Sequence, residues 1–374
     1  MQLMEISLKK GEIKPLTGIR GIAALVVAIH HFISKYYINY FEERSSNSML
    51  DYFAFNYANH GYLMVELFFI LSGFVLALSY DKKWKGMISK INYKQFMVKR
   101  FNRVYPLYFF STIVYFFVFN LDKIKSPEIL ISNFLFLELW FPKEFTLNNV
   151  SWSLCTEWFL YLIFPYLLLM TRTIINKPFV LFFIASIIFV MAPLLNTQKI
   201  YDDEVDYVVG ELRMSNGTGA FLRCLGSYII GLAIYGIYKF NNKFVKLMSQ
   251  YWYIILVLIM IAYGISYSDI VVTLLFGMLI LALTQRNKIS SFFESRTMYF
   301  LGLISYSIYL NHMVFLRILN FSYKTSIWND TPINVAIGFV IFVVMTIVSS
   351  WLTYKLIELP CTRWLNSRLV RQKI

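Results

Sequence analysis

The sequence has little charge. Only 15% of its 374 residues are Asp, Glu, Lys or Arg, whereas 58% are hydrophobic and 19% are aromatic. Soluble globular domains contain about 25% charged and about 45–50% apolar residues. This composition excludes an ordinary soluble enzyme and a disordered chain. It also excludes a nucleic-acid-binding domain, because no soluble fold is available to carry a basic face. We expect no nucleic-acid partner and predict an all-α polytopic membrane protein.

Cysteine is scarce as well. Cys155, Cys224 and Cys361 are far apart and form no C-x-x-C or C-x-x-H spacing. We therefore predict free thiols, no disulfide framework and no metal site. A cleavable leader is not indicated, because the first apolar run begins near Ile19 and continues directly into a spanning segment. The chain 1–374 is expected to be a single domain that ends in a short basic cytoplasmic tail at 361–374.

Long apolar runs are abundant. About 20 apolar residues span a hydrocarbon core about 30 Å thick. One run, 128–141, has only about 14 residues and is predicted to be a short re-entrant helix that does not cross. About ten other runs are predicted to be transmembrane helices. The predicted spans are 19–38, 59–80, 102–120, 152–171, 178–195, 218–238, 251–266, 268–284, 298–318 and 333–355.

The 35 Lys and Arg residues predict the orientation. If 128–141 does not cross, most of them fall on the side that holds both termini, and the positive-inside rule places that side in the cytoplasm. If 128–141 crossed, the later loops would change sides and this bias would collapse. The acidic stretch 202–206 is then a solvated loop on the outer side. We expect a multi-pass protein of a bacterial inner or cytoplasmic membrane, with the lipid bilayer as its first partner.

Ionisable residues inside predicted spans are functional candidates, because a charge at the bilayer centre costs roughly 2.5–3.5 kcal/mol on insertion scales. Arg20 and His31 are 11 residues apart, about three helical turns, and therefore share one face. Arg20 lies at the cytoplasmic end and His31 in the outer half, whereas His30 is rotated about 100° away. Glu66, near the outer end of the second span, is either a member of a structural ion pair or part of the site.

The cytoplasmic end of the third predicted span is basic. Arg100 and Arg103 are three residues apart, so they project from one helix face, and Lys99 adjoins them. Paired guanidinium groups suit phosphate recognition. The positive-inside rule alone also explains basic residues at this position, and the sequence leaves both interpretations open.

Two polar stripes follow on otherwise apolar helices. Each has hydroxyl groups and one ionisable side chain at helical steps of three or four residues, and an aromatic belt does not explain the ionisable members. The second stripe contains a histidine that is expected in the outer half of the membrane, at about the same depth as His31. The members are Trp152, Ser153, Glu157 and Tyr161 in the first stripe and Ser305, Tyr309 and His312 in the second.

These motifs, taken in order, resemble the integral-membrane acyltransferase type 3 family, whose members acylate cell-surface polysaccharides and other extracytoplasmic acceptors. The resemblance covers nearly the full length. Its motifs are a basic residue and a histidine with ten residues between them (Arg20 to His31), the phenylalanine-rich Leu-Ser-Gly-Phe stretch (68–74), Arg-x-x-Arg (Arg100 and Arg103), Trp-Ser-Leu-x-x-Glu (Trp152 to Glu157), Ser-Tyr-x-x-Tyr-Leu-x-His (Ser305 to His312) and Ile-Glu-x-Pro (357–360).

The resemblance implies acetyl-CoA or another acyl-CoA as a cytoplasmic donor, and an extracytoplasmic glycan such as lipopolysaccharide, capsule or exopolysaccharide as acceptor. It assigns Arg20 and His31 to activity, and Arg100 and Arg103 to the donor. Some family members carry an added hydrolase-like domain, and this chain is expected to lack one. The remaining polar residues of the two stripes are candidate substrate contacts, and Lys99 is a candidate donor contact.

We therefore expect a membrane O-acyltransferase, most simply an O-acetyltransferase, with His31 as general base on a sugar hydroxyl. Glu66 or Glu157 would orient the imidazole, as a carboxylate does in a triad. A covalent intermediate on His31 or Cys155 is a second route. The competing class is a glycan flippase, polymerase or acyl-group exporter without transferase chemistry. The oligomeric state is open, because the glycines at 226, 231 and 236 can pack within the bundle or between copies.

Overall fold

Apolar segments form α-helices in a membrane because a helix satisfies its backbone N–H and C=O groups within the segment. The computed structural model describes residues 12–37, 42–84, 86, 88–119, 127–141, 146–196, 212–324 and 331–371, and within these ranges it is all-helical, without strands. The acidic stretch 202–206 lies outside the described residues. The principal helices are α1 (Lys14–Tyr36), α2 (Met49–Asn59), α3 (Met64–Tyr80), α4 (Lys90–Phe119), α5 (Pro127–Phe134), α6 (Trp152–Thr171), α7 (Pro178–Leu194), α8 (Gly217–Phe240), α9 (Asn242–Gln250), α10 (Trp252–Tyr263), α11 (Asp269–Leu283), α12 (Lys288–Glu294), α13 (Arg296–Leu303), α14 (Ser305–Lys324), α15 (Pro332–Thr353) and α16 (Leu359–Arg371).

Five helical stretches in the described ranges are long and apolar enough to cross a membrane, or up to eight if each of three bent helix pairs is one crossing. The pairs are α9 with α10, α11 with α12 and α13 with α14, bent by 71°, 85° and 68°. The predicted spans 251–266 and 268–284 correspond to α10 and α11, which have only 12 and 15 residues. Such helices rise about 18 and 23 Å, less than the hydrocarbon thickness of about 30 Å. The ten predicted spans and the cytoplasmic placement of both termini therefore stay predictions.

The short apolar run 128–141 forms the eight-residue helix α5 and then a 3₁₀ turn, Glu138–Trp140. Eight residues rise about 12 Å and cannot cross a bilayer as one helix. The turn is held against α4 and α6: Tyr108 donates to the backbone carbonyl of Asn133, and the Cys155 thiol donates to the carbonyl of Phe136. The backbone groups that the short helix leaves unpaired are thus partly satisfied by neighbouring helices.

Glycine allows α3 and α8 to approach closely. A Cβ atom on Gly73 would lie 2.3 Å from the Tyr228 carbonyl oxygen, and one on Gly231 would lie 2.3 Å from the Ile70 carbonyl oxygen. Side chains at these positions would therefore separate the two helices. Gly226 and Gly236 likewise face Phe189 and Ile175, so the glycines of α8 pack within this chain.

Large apolar side chains are exposed along several helices. On α7 the exposed set includes Phe179 and Phe183, on α10 Val257 and Met260, and on α15 Val344. An apolar surface of this extent suits the hydrocarbon of a bilayer, which is the solvent that such side chains require. Together with the long apolar helices, it indicates a multi-pass membrane protein.

Candidate active site

A cavity of about 230 Å³ lies between α1, α3, α6, α8 and α14. Its wall combines imidazole, phenol, indole and guanidinium groups. Pockets that bind small molecules combine apolar and aromatic walls with a few convergent polar groups, and this cavity has that character. Its lining includes His30, His31, Tyr62, Trp152, Arg223 and Tyr309.

The hydrogen bonds of His31 fix how its ring is protonated. Its Nδ1 lies 2.9 Å from the backbone carbonyl oxygen of Val27, one turn earlier in α1. Because a carbonyl oxygen only accepts, we assign the proton to Nδ1, and the neutral ring then has its lone pair on Nε2. The described hydrogen bonds of His31 all run through Nδ1, so Nε2 is available to act as a base in the cavity wall.

His312 stands directly beside His31. The two ring centroids are 5.1 Å apart, and Nε2 of His312 lies 3.4 Å from Nδ1 of His31. The Nδ1 atom of His312 is 3.1 Å from the Ile308 carbonyl oxygen, so by the same reasoning it carries the proton. The lone pair on Nε2 of His312 therefore faces the N–H group of His31.

Glu66 is engaged in a buried ion pair. Nε of Arg223 donates to the carboxylate at 2.7 Å, and the Ser227 hydroxyl donates to its second oxygen. Arg223 also donates to the Met214 carbonyl oxygen at 2.8 Å and lies over the Trp152 ring at 5.3 Å. Both side chains are almost completely buried. The pair joins α3 and α8, and its Arg223 member is part of the cavity wall.

Glu157 is only half-buried and has different partners. It accepts a hydrogen bond from the Tyr161 hydroxyl, one turn later in α6, and a long one of 3.4 Å from Ser72 of α3. Neither Glu66 nor Glu157 is among the hydrogen-bond partners of His31 in the described part of the chain. The geometry thus offers His312, rather than a carboxylate, as the neighbour of the His31 ring.

Three arginines gather around Glu157 toward the end of α1 where Arg20 lies. Arg103, Glu157 and Tyr161 are electrostatic neighbours of Arg20. The Arg100 guanidinium lies over the Tyr161 ring at 5.8 Å, and its Nε is buried without a hydrogen-bond partner. Within the described ranges none of these arginines forms a hydrogen bond or an ion pair. The three guanidinium groups therefore retain donors for an anionic ligand.

The remaining predicted site residues divide between the two regions. Tyr309 lines the cavity and exchanges a 2.8 Å hydrogen bond with Ser153, whereas Tyr161 belongs with the arginines. Ser305 donates to the Gly302 carbonyl oxygen at 2.8 Å and is buried, so its hydroxyl is used within the helix turn. Lys99 is exposed.

Sequence reasoning missed several residues of the cavity wall, chiefly Arg223, Arg213 and Tyr62. Arg223 had a signal, since it is a charge inside the predicted span 218–238. Tyr62 donates to Asp269 at 2.6 Å, across 207 residues of sequence, and no local pattern indicates that contact. In the described ranges no group of three or more His, Cys, Asp and Glu side chains is placed to hold a metal ion.

A family match and the names of similar proteins both indicate an acyltransferase. Residues 13–355 match the family described as an acyltransferase domain. The acyltransferase MdmB of Streptomyces mycarofaciens is 30% identical over 159 residues, 40% of this chain and 38% of that protein. The peptidoglycan O-acetyltransferase OatA of Listeria monocytogenes is 26% identical over 184 residues, 44% of this chain and 25% of that protein.

The chain thus spans well under half of the length of these two relatives. No solved structure matches it. The matched range 13–355 contains His31 and its neighbour His312, and also Arg20, Arg100 and Arg103. Since this range is most of the 374 residues, the chain belongs to the acyltransferase family that is defined by this domain.

Proposed function

We propose that this protein is an integral-membrane O-acyltransferase of a bacterial cytoplasmic membrane. It transfers an acyl group, most simply acetyl, from acyl-CoA on the cytoplasmic side to a hydroxyl of a glycan on the outer side. One observation carries the proposal: His31, with its Nδ1 held by the Val27 carbonyl oxygen at 2.9 Å, lines a polar and aromatic cavity in a chain of the acyltransferase family.

In this reaction the glycan hydroxyl attacks the thioester carbonyl carbon, and its proton moves to Nε2 of His31. The new C–O bond forms, the C–S bond breaks, and the coenzyme thiolate takes the proton from Nε2 of His31. A positioned base of this kind contributes typically 10²–10⁴ to the rate. Because Nδ1 keeps its own proton throughout, the ring returns to its starting tautomer after each turnover.

The inner arginines support an anionic donor. Arg20, Arg100 and Arg103 bring three guanidinium groups together without hydrogen bonds or ion pairs in the described ranges, and Nε of Arg100 is buried and unpartnered. Guanidinium groups bind phosphate oxygens bidentately. Arg20 and His31 are 11 residues apart on α1, about 16 Å along the axis. A long pantetheine arm would bridge this separation, with the phosphates at the arginines and the thioester at the histidine.

The outer cavity supports a hydroxylated acceptor. Tyr62, Trp152 and Tyr309 present aromatic rings with polar edges, and such side chains give both apolar contact and hydrogen bonds. A sugar ring offers the same combination of apolar faces and hydroxyl edges. The printed name of the Listeria relative, a peptidoglycan O-acetyltransferase, supports a glycan acceptor for this chain.

The test compares the masses of surface glycans from cells with the wild-type chain, a deletion, and His31→Ala. We expect the wild-type chain to add a fixed acyl mass, and the deletion and His31→Ala cells to lack it. His60→Gln is the matched control, because His60 is also buried but bonds to the Tyr263 carbonyl oxygen outside the cavity lining. Its glycans should keep the acyl mass.

Two outcomes would overturn the proposal. Acylation that persists in His31→Ala cells at the wild-type level would show that His31 is not the general base. Unchanged acylation in the deletion, with an altered amount or length of glycan, would favour a flippase, polymerase or exporter. Purified protein gives an independent check of the donor, because coenzyme A at 100 times its Kd should stabilise the fold by about 2.7 kcal/mol, and a transporter of glycan alone would show no such shift.

A further inference from the structure

We propose that His312 is the positioning residue for His31, accepting its Nδ1–H bond in the way that a carboxylate does in a Ser-His-Asp triad. The inference rests on the proposed function, since it assigns a role within that reaction. It changes what supports the base: the partner is a neutral imidazole on α14, and neither Glu66 nor Glu157 is needed for this role.

The contact has the geometry that this role requires. Nε2 of His312 lies 3.4 Å from Nδ1 of His31, and the Val27 carbonyl oxygen lies 2.9 Å from the same Nδ1. One N–H group can be shared between two acceptors, and the two together fix the ring plane. His312 is fully buried, and Nδ1 of His312 is itself anchored 3.1 Å from the Ile308 carbonyl oxygen, so its lone pair is held toward His31.

The two carboxylates are committed elsewhere. Glu66 accepts from Arg223 at 2.7 Å and from Ser227, and Glu157 accepts from Tyr161 and Ser72. Moving either carboxylate to His31 would leave a buried partner unsatisfied, which is costly in a membrane interior. The hydrogen-bond pattern thus leaves His312 as the side chain that can accept from His31.

A neutral acceptor also suits the site. When His31 takes the hydroxyl proton on Nε2, its ring becomes positive, and the Nδ1–H bond to His312 becomes charge-assisted and stronger. The proton on Nδ1 does not transfer, and His312 stays neutral. The pair carries no net charge before the reaction, so it avoids the cost of burying an isolated anion in the bilayer. The stabilisation therefore develops with the transition state and acts on kcat.

The experiment uses inside-out membrane vesicles from cells that contain the native glycan, with labelled acetyl-CoA as the donor. We expect His312→Leu to lower kcat roughly 10- to 100-fold, the size of a lost hydrogen bond to a charged group, with little change in the KM for acetyl-CoA. His312→Gln should recover most of this loss, because its amide oxygen can accept near the position of Nε2. Rates are normalised to monodisperse protein after solubilisation, which separates folding from catalysis.

Two further variants make the test specific. His60→Leu removes another buried histidine outside the cavity lining, and it should reduce the amount of folded protein without reducing kcat per folded molecule. In a His31→Ala background, His312→Leu should cause no further loss, since a residue that acts through His31 has nothing left to position.

The outcomes separate this inference from the proposed function. Wild-type kcat in His312→Leu, with the rate of His31→Ala lowered to a residual level about 10²–10⁴-fold below wild type, would overturn the positioning role and leave the base assignment intact. A loss confined to KM, or a further loss in the double variant, would assign His312 to substrate contact instead. Wild-type transfer in His31→Ala would overturn the proposed function itself.

Discussion

The two ends of the polar interior differ in how completely their charges are paired. Near the cavity, Glu66 accepts from Arg223 and Ser227, and Asp269 accepts from Tyr62 at 2.6 Å and from the backbone N–H of Leu212 at 2.6 Å. At the other end, Arg20, Arg100 and Arg103 have neither a hydrogen bond nor an ion pair within the described ranges. In the first region both carboxylates are paired within the protein, although Oδ1 of Asp269 and Nη2 of Arg223 have no hydrogen-bond partner in the part of the chain that the structure describes. In the second region the guanidinium groups have no paired carboxylate among the described residues and present unused donors.

This difference distinguishes charges that stabilise the fold from charges that are available to bind a ligand. Removing one member of a satisfied buried pair leaves an uncompensated charge, so the loss appears in stability. Removing an arginine without a protein partner costs the fold little, so the loss appears in binding. The comparison therefore predicts opposite phenotypes for residues of the same chemical class.

The largest effect is expected at the buried pair. Glu66→Leu leaves the Arg223 guanidinium without its anion in a site where both side chains are almost completely buried. Breaking such a pair costs about 3–5 kcal/mol, enough to remove most of the folded protein. The measurement is the yield of monodisperse protein and its melting temperature in detergent.

The matched control removes both charges. Glu66→Leu combined with Arg223→Leu replaces the pair by apolar side chains, a change that is often neutral or stabilising. We expect the double variant to recover most of the folded yield that the single variant loses. If the double variant is as unstable as the single one, the charge is not the cause, and packing between α3 and α8 is.

The next effect is expected at Arg100 and Arg103. Arg100→Ala and Arg103→Ala should each raise the KM for acyl-CoA roughly 10- to 100-fold, because a hydrogen bond to a charged group is worth about 1.5–3 kcal/mol and about 1.4 kcal/mol is tenfold. The melting temperature without ligand should change little. Initial rates at varied acetyl-CoA, in the vesicle assay, measure this.

Lys99→Ala is the control for that prediction. Lys99 precedes Arg100, so it is rotated about 100° around the helix, and it is exposed. It should leave KM within about twofold, because an exposed lysine adds only a screened charge. Equal KM effects for all three variants would mean that the whole basic surface, and not a defined site, attracts the donor. A fall in stability at Arg103→Ala would remove the contrast between the two regions.

Helical periodicity predicted much of what lies on single helices. Arg20 and His31 were expected about three turns apart on α1, and the structure places His31 in the cavity wall and Arg20 beside Arg103 and Glu157. That His31 lies in the outer half of the membrane stays a prediction. The short run 128–141 was expected not to cross, and it forms an eight-residue helix and a turn. These features depend on residues close in sequence, which a single sequence contains.

Contacts between helices could not be predicted from the sequence. Nδ1 of His31 meets His312 across 281 residues, and Arg223 meets Glu66 across 157. Which helices become neighbours depends on packing, including the close approach at Gly73 and Gly231. The sequence left open whether Glu66 is structural, and the choice required the position of α8. Bends between short helices, such as the 71° bend between α9 and α10, are not visible in the sequence, so the number of spans could not be predicted from apolar runs alone.

A smaller effect is expected inside the cavity wall. Tyr309→Phe removes the 2.8 Å hydrogen bond with Ser153 and the 3.2 Å hydrogen bond that Tyr309 donates to the Val150 carbonyl oxygen, whereas Ser153 keeps that carbonyl oxygen as an acceptor. A hydrogen bond of this kind is worth about 1 kcal/mol. We expect a modest fall in melting temperature, and a rise in KM for the acceptor if the phenol contacts it. Ser153→Ala, which leaves the Tyr309 hydroxyl in place, separates the two effects.

The smallest effect tests why Arg20, Arg100 and Arg103 lack protein partners in the described ranges. Either charges at this end of the helices are generally unpaired, or these three are left free to bind a ligand. Asp81 follows α3 directly, at the helix end opposite Glu66, yet it is fully engaged: it accepts from Lys239 at 2.7 Å, Tyr235 at 2.8 Å and Arg172 at 3.3 Å. Burial alone would raise the pKa of Asp81, but the hydrogen bonds from Lys239 and Tyr235 outweigh it, and the pKa lies below its ordinary value.

A carboxylate with a lowered pKa stabilises the fold at pH values above its unfolded pKa, about 3.9, and this contribution is lost as the pH falls through the folded pKa. Both cations are partly exposed, so the contribution should stay below about 1 kcal/mol. Melting temperatures from pH 6 to pH 3 should therefore converge for the wild type and Asp81→Asn. A constant difference across that range would mean that the ionised form of Asp81 adds no stability. The lack of partners at Arg20, Arg100 and Arg103 would then follow from their position at this end of the helices, and not from a role in binding.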